Sequence, residues 1–159
     1  MSIYMKFGSV NGAVTTKGFD KWIQLESCQL GVNRAITTAA RGSVNREASE
    51  PNFSEVVVTK FQDVSSVKLL EDAWGGDLST KVTIKFTTTA KNGVATFLSV
   101  ELEKCGVSSF AMSSGAEGQP MESLSLNFTK ITFTHTGMDD KVAGSPVRVS
   151  YDLEGMKGG

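Results

Sequence analysis

In KVTIKFTTTAKNGVATFLSVELEK, Lys81 to Lys104, apolar residues recur at every second position: Val82, Ile84 and Phe86, then Leu98, Val100 and Leu102. Alternate residues share a face only in a β-strand, so this stretch reads as two strands joined near Asn92-Gly93. A two-residue turn at Asn92-Gly93 would set Ile84 against Glu101 and Lys85 against Val100, mixing apolar and charged residues on each face. A three-residue loop, Lys91-Asn92-Gly93, pairs Phe86 with Leu98, Ile84 with Val100 and Val82 with Leu102. That register closes the apolar face, sets Lys81 opposite Glu103 and Thr83 opposite Glu101, and needs Gly93 in the left-handed conformation.

The same short period runs through most of the chain. Further strands are expected at Ile3 to Phe7, Trp22 to Leu30, Glu55 to Phe61, Val107 to Met112, Ser123 to Thr134 and Val147 to Leu153. With Lys81 to Thr88 and Val94 to Glu103 these make eight strands, a number suited to a barrel or sandwich. In SLSLNFTKITFTH the apolar phase switches between Leu124, Leu126, Phe128 and Ile131, Phe133, which implies a bulge near Thr129-Lys130 or a crossing between sheets. One segment breaks the pattern: in KFQDVSSVKLLEDAW, Val67, Leu70, Ala73 and Trp74 recur at helical spacing. Asp63 or Ser65 would cap this helix, Gly75-Gly76 would end it in a left-handed turn, and its apolar face would cover Val56 to Val58, a strand apolar on both sides.

At 159 residues the chain fits one domain, residues 1-159. The 16 basic and 17 acidic residues nearly cancel, so no excess positive field marks a nucleic-acid binder. No apolar run is long enough to cross a bilayer, which argues against membrane insertion, and MSIYMKFGSVNG lacks the apolar core of a signal peptide. Cys28 and Cys105 lie in separate strand-like segments and read as buried small hydrophobes; whether they form a disulfide is open. Asn52 and Asn127 match the glycosylation pattern, which has meaning only in a secretory lumen.

No catalytic, cofactor or metal constellation emerges. His135 is the sole histidine, no GxSxG elbow accompanies it, and neither phosphate-binding glycine motif occurs. Glu101 and Glu103 share a strand face but stand opposite Thr83 and Lys81, the pattern of a solvated or contact surface. Asp139-Asp140 reads as a solvated turn. What stands out is the connection GVNRAITTAARGSVNREASEPN before Phe53, long for a compact domain and without strong period, where loops of such length are usually functional or disordered. The GMKGG tail has no apolar side chain to pack beyond Met156 and is expected to be flexible.

Taken in order, YMKFGSVNG, KWIQLESCQLGV, the long loop, VVVTKFQDVSSVKLLEDAWGG, VTIKF, FLSVELEKCGVSS and ESLSLNFTKITFTH resemble the haemolysin-coregulated proteins of bacterial type VI secretion. Val67 stands where many members carry proline, and LESCQLGV replaces an aromatic-rich strand. The resemblance implies a mainly β fold, a β-barrel of two sheets with one short flanking α-helix. It implies a non-enzymatic tube subunit that forms homohexameric rings, stacked into a tube, with no cofactor. Implied partners are the chain itself, a contractile sheath, a spike protein and effectors carried in the lumen. Cytoplasmic synthesis and expulsion to the exterior or a target cell without a signal peptide are implied as well.

For the assembly loop, residues 31-53, the resemblance suggests contact with a neighbouring subunit or the next ring. Arg34, Arg41 and Arg46 are expected to meet Glu47, Glu50, Glu117 or Glu122 of another copy, guanidinium forks suiting carboxylates. Two other readings stay open at this point: a phage-type tail-tube protein, and a monomeric barrel binding a small ligand in its interior.

Overall fold

The computed structural model describes residues 1–38, 46–137 and 146–159; Arg41 and Asp139-Asp140 lie outside the described residues. Strands β1 (Ser2–Phe7), β2 (Ile23–Leu25) and β3 (Ser27–Gln29) are followed by four short strands, β4 (Val32–Asn33), β5 (Ile36–Thr38), β6 (Arg46–Ala48) and β7 (Asn52–Phe53). Then come β8 (Val56–Phe61), helix α1 (Ser66–Gly75), β9 (Thr80–Ala90) and the long β10 (Gly93–Ser113). The remainder is β11 (Met121–Asn127), β12 (Lys130–His135), β13 (Val147–Asp152) and β14 (Lys157–Gly158).

Strand β10 organises the molecule, because its two halves belong to different sheets. Its first half lies between β9 and β12, in a sheet ordered β2-β1-β9-β10-β12-β13-β14; its second half pairs with β11, followed by β8 and β3. The bend falls where the sequence suggested two separate strands. Lys104 has φ 49° and the register with β9 slips between Leu102 and Cys105. A bulge of this kind increases local twist and turns a strand from one sheet into the next. The partner run bends at the same level: Asn127 ends β11 opposite Gly106, and Lys130 begins β12 opposite Glu103. The phase switch after Phe128 is therefore the crossing between sheets. On the far side β2 hydrogen-bonds β1 while β3, one residue later, hydrogen-bonds β8, so one run bridges both sheets and the whole is barrel-like.

The interior is solid. Met5, Phe7, Ile23, Ile84, Leu102, Leu124 and Leu126 are all but completely buried, and Phe53 extends the core outward against Phe128 and Tyr151. A second, smaller cluster covers the outer face of β1, where Tyr4 stacks on Phe19 at 4.6 Å and Val14 closes the group.

In the β9–β10 hairpin the core pairs are those expected: Phe86 with Leu98, Ile84 with Val100 and Val82 with Leu102. The device differs. Gly93 sits opposite Ala90 across the two-residue turn Lys91-Asn92, and a bulge at Phe97 supplies the extra residue that a three-residue loop was expected to supply. Because the register slips again after Leu102, Lys81 reaches Glu101 at 3.9 Å, and Glu103 turns to Lys130 at 4.0 Å. Gly93 has φ 122° with open space around its Cβ direction. Gly93→Val is therefore expected to cost about 1–3 kcal/mol through backbone strain alone, measured by urea unfolding.

Helix α1 departs most from expectation. Its inward residues are Ser66 and Leu69, with Ala73 partly covered, whereas Val67 is 70 % and Trp74 74 % exposed. It packs on β10, not over Val56 to Val58. The reason is where β9 stops. Strand β9 runs alongside β10 only as far as Thr80 opposite Cys105, which leaves the Val107 N–H without a strand partner on that side. The Asp72 carboxylate accepts it at 2.8 Å, so the helix completes a sheet edge and Leu69 fills the barrel beneath it. A buried N–H left unmade would be costly. The helix ends without the expected left-handed glycine: Gly76 has φ −68°, and its N–H bonds the Asp72 carbonyl at 3.0 Å. The tail also differs. Lys157–Gly158 pairs with β13, and Ser150 and Gly159 exchange backbone hydrogen bonds, so a glycine-rich end needs only its backbone to join the sheet.

Candidate functional site: an arm and an anchored helix

The long connection folds into a two-stranded ribbon that leaves the body. At its base Val32 pairs with Phe53 and Asn33 with Asn52; farther out Ile36 pairs with Ala48 and Thr37 with Glu47. Between these ladders the Ala35 carbonyl accepts the Ser49 N–H at 2.8 Å, and the Ala35 N–H donates to Ser49 Oγ at 2.9 Å. Phe53 anchors the ribbon through its rings, 5.0 Å from Tyr151 and 6.4 Å from Phe128. Every residue from Val32 to Thr37 is exposed. From Val32 to Thr38 the ribbon extends roughly 20 Å at strand rise.

The expected contact residues fare unequally. Arg34 and Glu50 are exposed on the arm, and Glu117 is exposed in the turn between β10 and β11. Arg46 and Glu47 lie in β6, while Arg41 falls outside the described residues. Glu122 is a correction. It occupies an inward position of β11, opposite Lys60 of β8, and both side chains are completely buried. It therefore serves its own subunit's interior.

Around this pair the helix start is fastened to the second sheet. Lys60 Nζ donates to Glu122 Oε1 at 2.5 Å and to Ser66 Oγ at 3.1 Å, and lies 3.1 Å from Asp63 Oδ1. Ser66 Oγ donates its own hydrogen bond to Glu122 Oε1 at 2.8 Å and accepts the Asp63 N–H at 3.1 Å. Asp63 in turn accepts the Ser65 N–H at 2.9 Å and so holds the turn that leads into the helix, while Ser65 itself, at the N-cap position, makes no side-chain cap. The sequence carried a signal for this cluster: Lys60 keeps the inward parity of Val56 and Val58, and Glu122 that of Leu124 and Leu126. Two opposite charges at inward positions of neighbouring strands announce a buried pair.

Elsewhere the reactive groups are held inert or apart. Burial pushes the Cys28 thiol up to about 11 and the Cys105 thiol to about 12, and both are free. No three metal-binding side chains converge among the described residues, and His135 is exposed at the end of β12. The described helix is far too short to cross a membrane.

Comparison with known proteins matches this geometry. The family model described as type VI secretion system effector, Hcp, matches residues 4–135. No curated protein sequence matches significantly. Among solved structures, one of a type six secretion system protein superposes with a TM-score of 0.89 at 23% identity, over 99% of both chains. Hcp1 from Salmonella typhimurium gives 0.78 at 15% identity, over 99% of this chain and 97% of that one. A chain of the PVC sheath-tube complex, from an extracellular contractile injection system in its extended state, gives 0.58 at 10% identity, over 84% and 88%.

Proposed function

This chain belongs to the Hcp family of type VI secretion and is a tube subunit, and on that premise we propose that six copies close head to tail into a ring, that rings stack, and that the exposed arm joins copies. The arm carries this reading. A two-stranded ribbon alone is marginally stable in water, and the residues from Val32 to Thr37 of this one are exposed. A neighbouring copy would bury it. Heterologous contacts of this kind close into rings when the rotation permits. The tube assembles with a sheath; the spike at its tip and small effectors in its lumen are the further partners of this reading.

Negative-stain microscopy and native mass measurement test it. The purified chain is expected as rings of about six copies, with stacked tubes at higher concentration. Deleting Ile36 to Arg46 is expected to leave rings and abolish tubes and secretion into the medium. Loss of rings together with tubes would move the arm to the interface within a ring, and a strictly monomeric intact chain at micromolar concentration would overturn the assembly reading.

A further inference from the structure

Helix α1 presents the wrong face to water. Val67, Leu70 and Trp74 form an exposed apolar stripe, since these positions are three or four residues apart on the helix, and exposed Val64 lies in the turn before it. The stripe borders an open trough of about 340 Å³ between the helix start and the Ser9 to Asn11 turn. The core does not need these side chains, because Ser66, Leu69 and Asp72 already attach the helix to the barrel. Exposed apolar side chains grouped on a helix otherwise well anchored mark a contact surface.

The arm offers the matching surface. Val32 of β4, Arg34 of the link between β4 and β5, and Ile36 of β5 are all exposed. In chain order these exposed side chains are apolar, cationic, apolar. On the helix, Glu71 stands exposed between Leu70 and Trp74 with only a 3.6 Å surface pair to Lys68, and exposed Asp77 follows the helix end. Arg34 has no ion-pair or hydrogen-bond partner among the described residues. We propose that the arm of one copy seats on the α1 stripe of another, Ile36 against Leu70 and Trp74 with Arg34 paired to Glu71. The contact is heterologous, joining two different patches, so it propagates from copy to copy.

The inference rests on the tube reading, and cross-linking separates the two. In a Cys28→Ala background, Ile36→Cys protein is mixed with Leu70→Cys protein under assembling conditions and oxidised, with Met112→Cys as the control partner. A disulfide-linked dimer is expected from the first mixture and not from the control. Normal rings and tubes without the arm-to-helix link would overturn the docking site while leaving the tube reading intact; failure of the unmodified chain to assemble would overturn both. Charge reversal supplies a second readout: Arg34→Glu and Glu71→Arg should each weaken assembly roughly two- to fivefold at low salt, and the double variant should recover it. Recovery by neither combination, with the cross-link absent, places the arm elsewhere.

Discussion

Lys60→Met is expected to destabilise the folded subunit by about 3–5 kcal/mol, because it leaves Glu122 buried as an unpaired charge. Glu122 would keep the Ser66 hydroxyl, but its second oxygen already lacks a hydrogen-bond partner, so nothing nearby can take over from the ammonium. Asp63 would also lose its neighbour, which loosens the turn that leads into the helix. Replacing both charges together gives the contrasting result. Lys60→Met with Glu122→Leu should lie near the parent in stability, since an ion pair withdrawn from water loses most of its attraction to desolvation. Chemical denaturation of the four proteins of this cycle decides the matter. Equal loss in the single and double variants would mean that shape, not charge pairing, makes the site.

Leu69→Ala is expected to cost about 2–5 kcal/mol, the range for emptying a fully buried leucine site. Leu69 is the apolar side chain through which α1 reaches completely into the barrel core. The neighbouring Val67→Ala and Trp74→Ala changes should move subunit stability by less than about 0.5 kcal/mol, as exposed substitutions generally do. Thermal unfolding of dilute, unassembled protein distinguishes the two classes. A large loss at Trp74 and none at Leu69 would reverse the assigned faces of the helix. In assembled protein the ranking should change, with Trp74 and Leu70 gaining weight as the arm of another copy covers them.

Strand character, the core register of the hairpin and the inward parity of each strand were legible because period-two alternation is a local property with one structural solution. Val82, Ile84 and Phe86 face Leu98, Val100 and Leu102 whichever turn joins them, since a one-residue slip would put charge in the core. The order and spacing of the motifs likewise sufficed for the family, and no site of enzymatic chemistry was needed to reach it. The long loop was recognisable as an anomaly from its length alone, although its ribbon was not: Ile36 to Thr38 and Arg46 to Ala48 are too short to show a period.

The helix shows where local reasoning stops. Its existence followed from the spacing of Val67, Leu70, Ala73 and Trp74, but spacing identifies an apolar face without saying what will cover it. The end of β9 at Thr80 decided that, by leaving the Val107 N–H for Asp72 to accept and so turning Leu69, not Trp74, toward the core. Glu122 makes the same point for charge: its parity was in the sequence, while its partner Lys60 is distant along the chain and becomes adjacent only when β8 pairs with β11. Alternation, turn residues and motif order depend on neighbours in the chain and are settled by sequence. Which face is buried, and which charges meet inside, depend on contacts between distant strands, and those exist only once the two sheets have come together along β10.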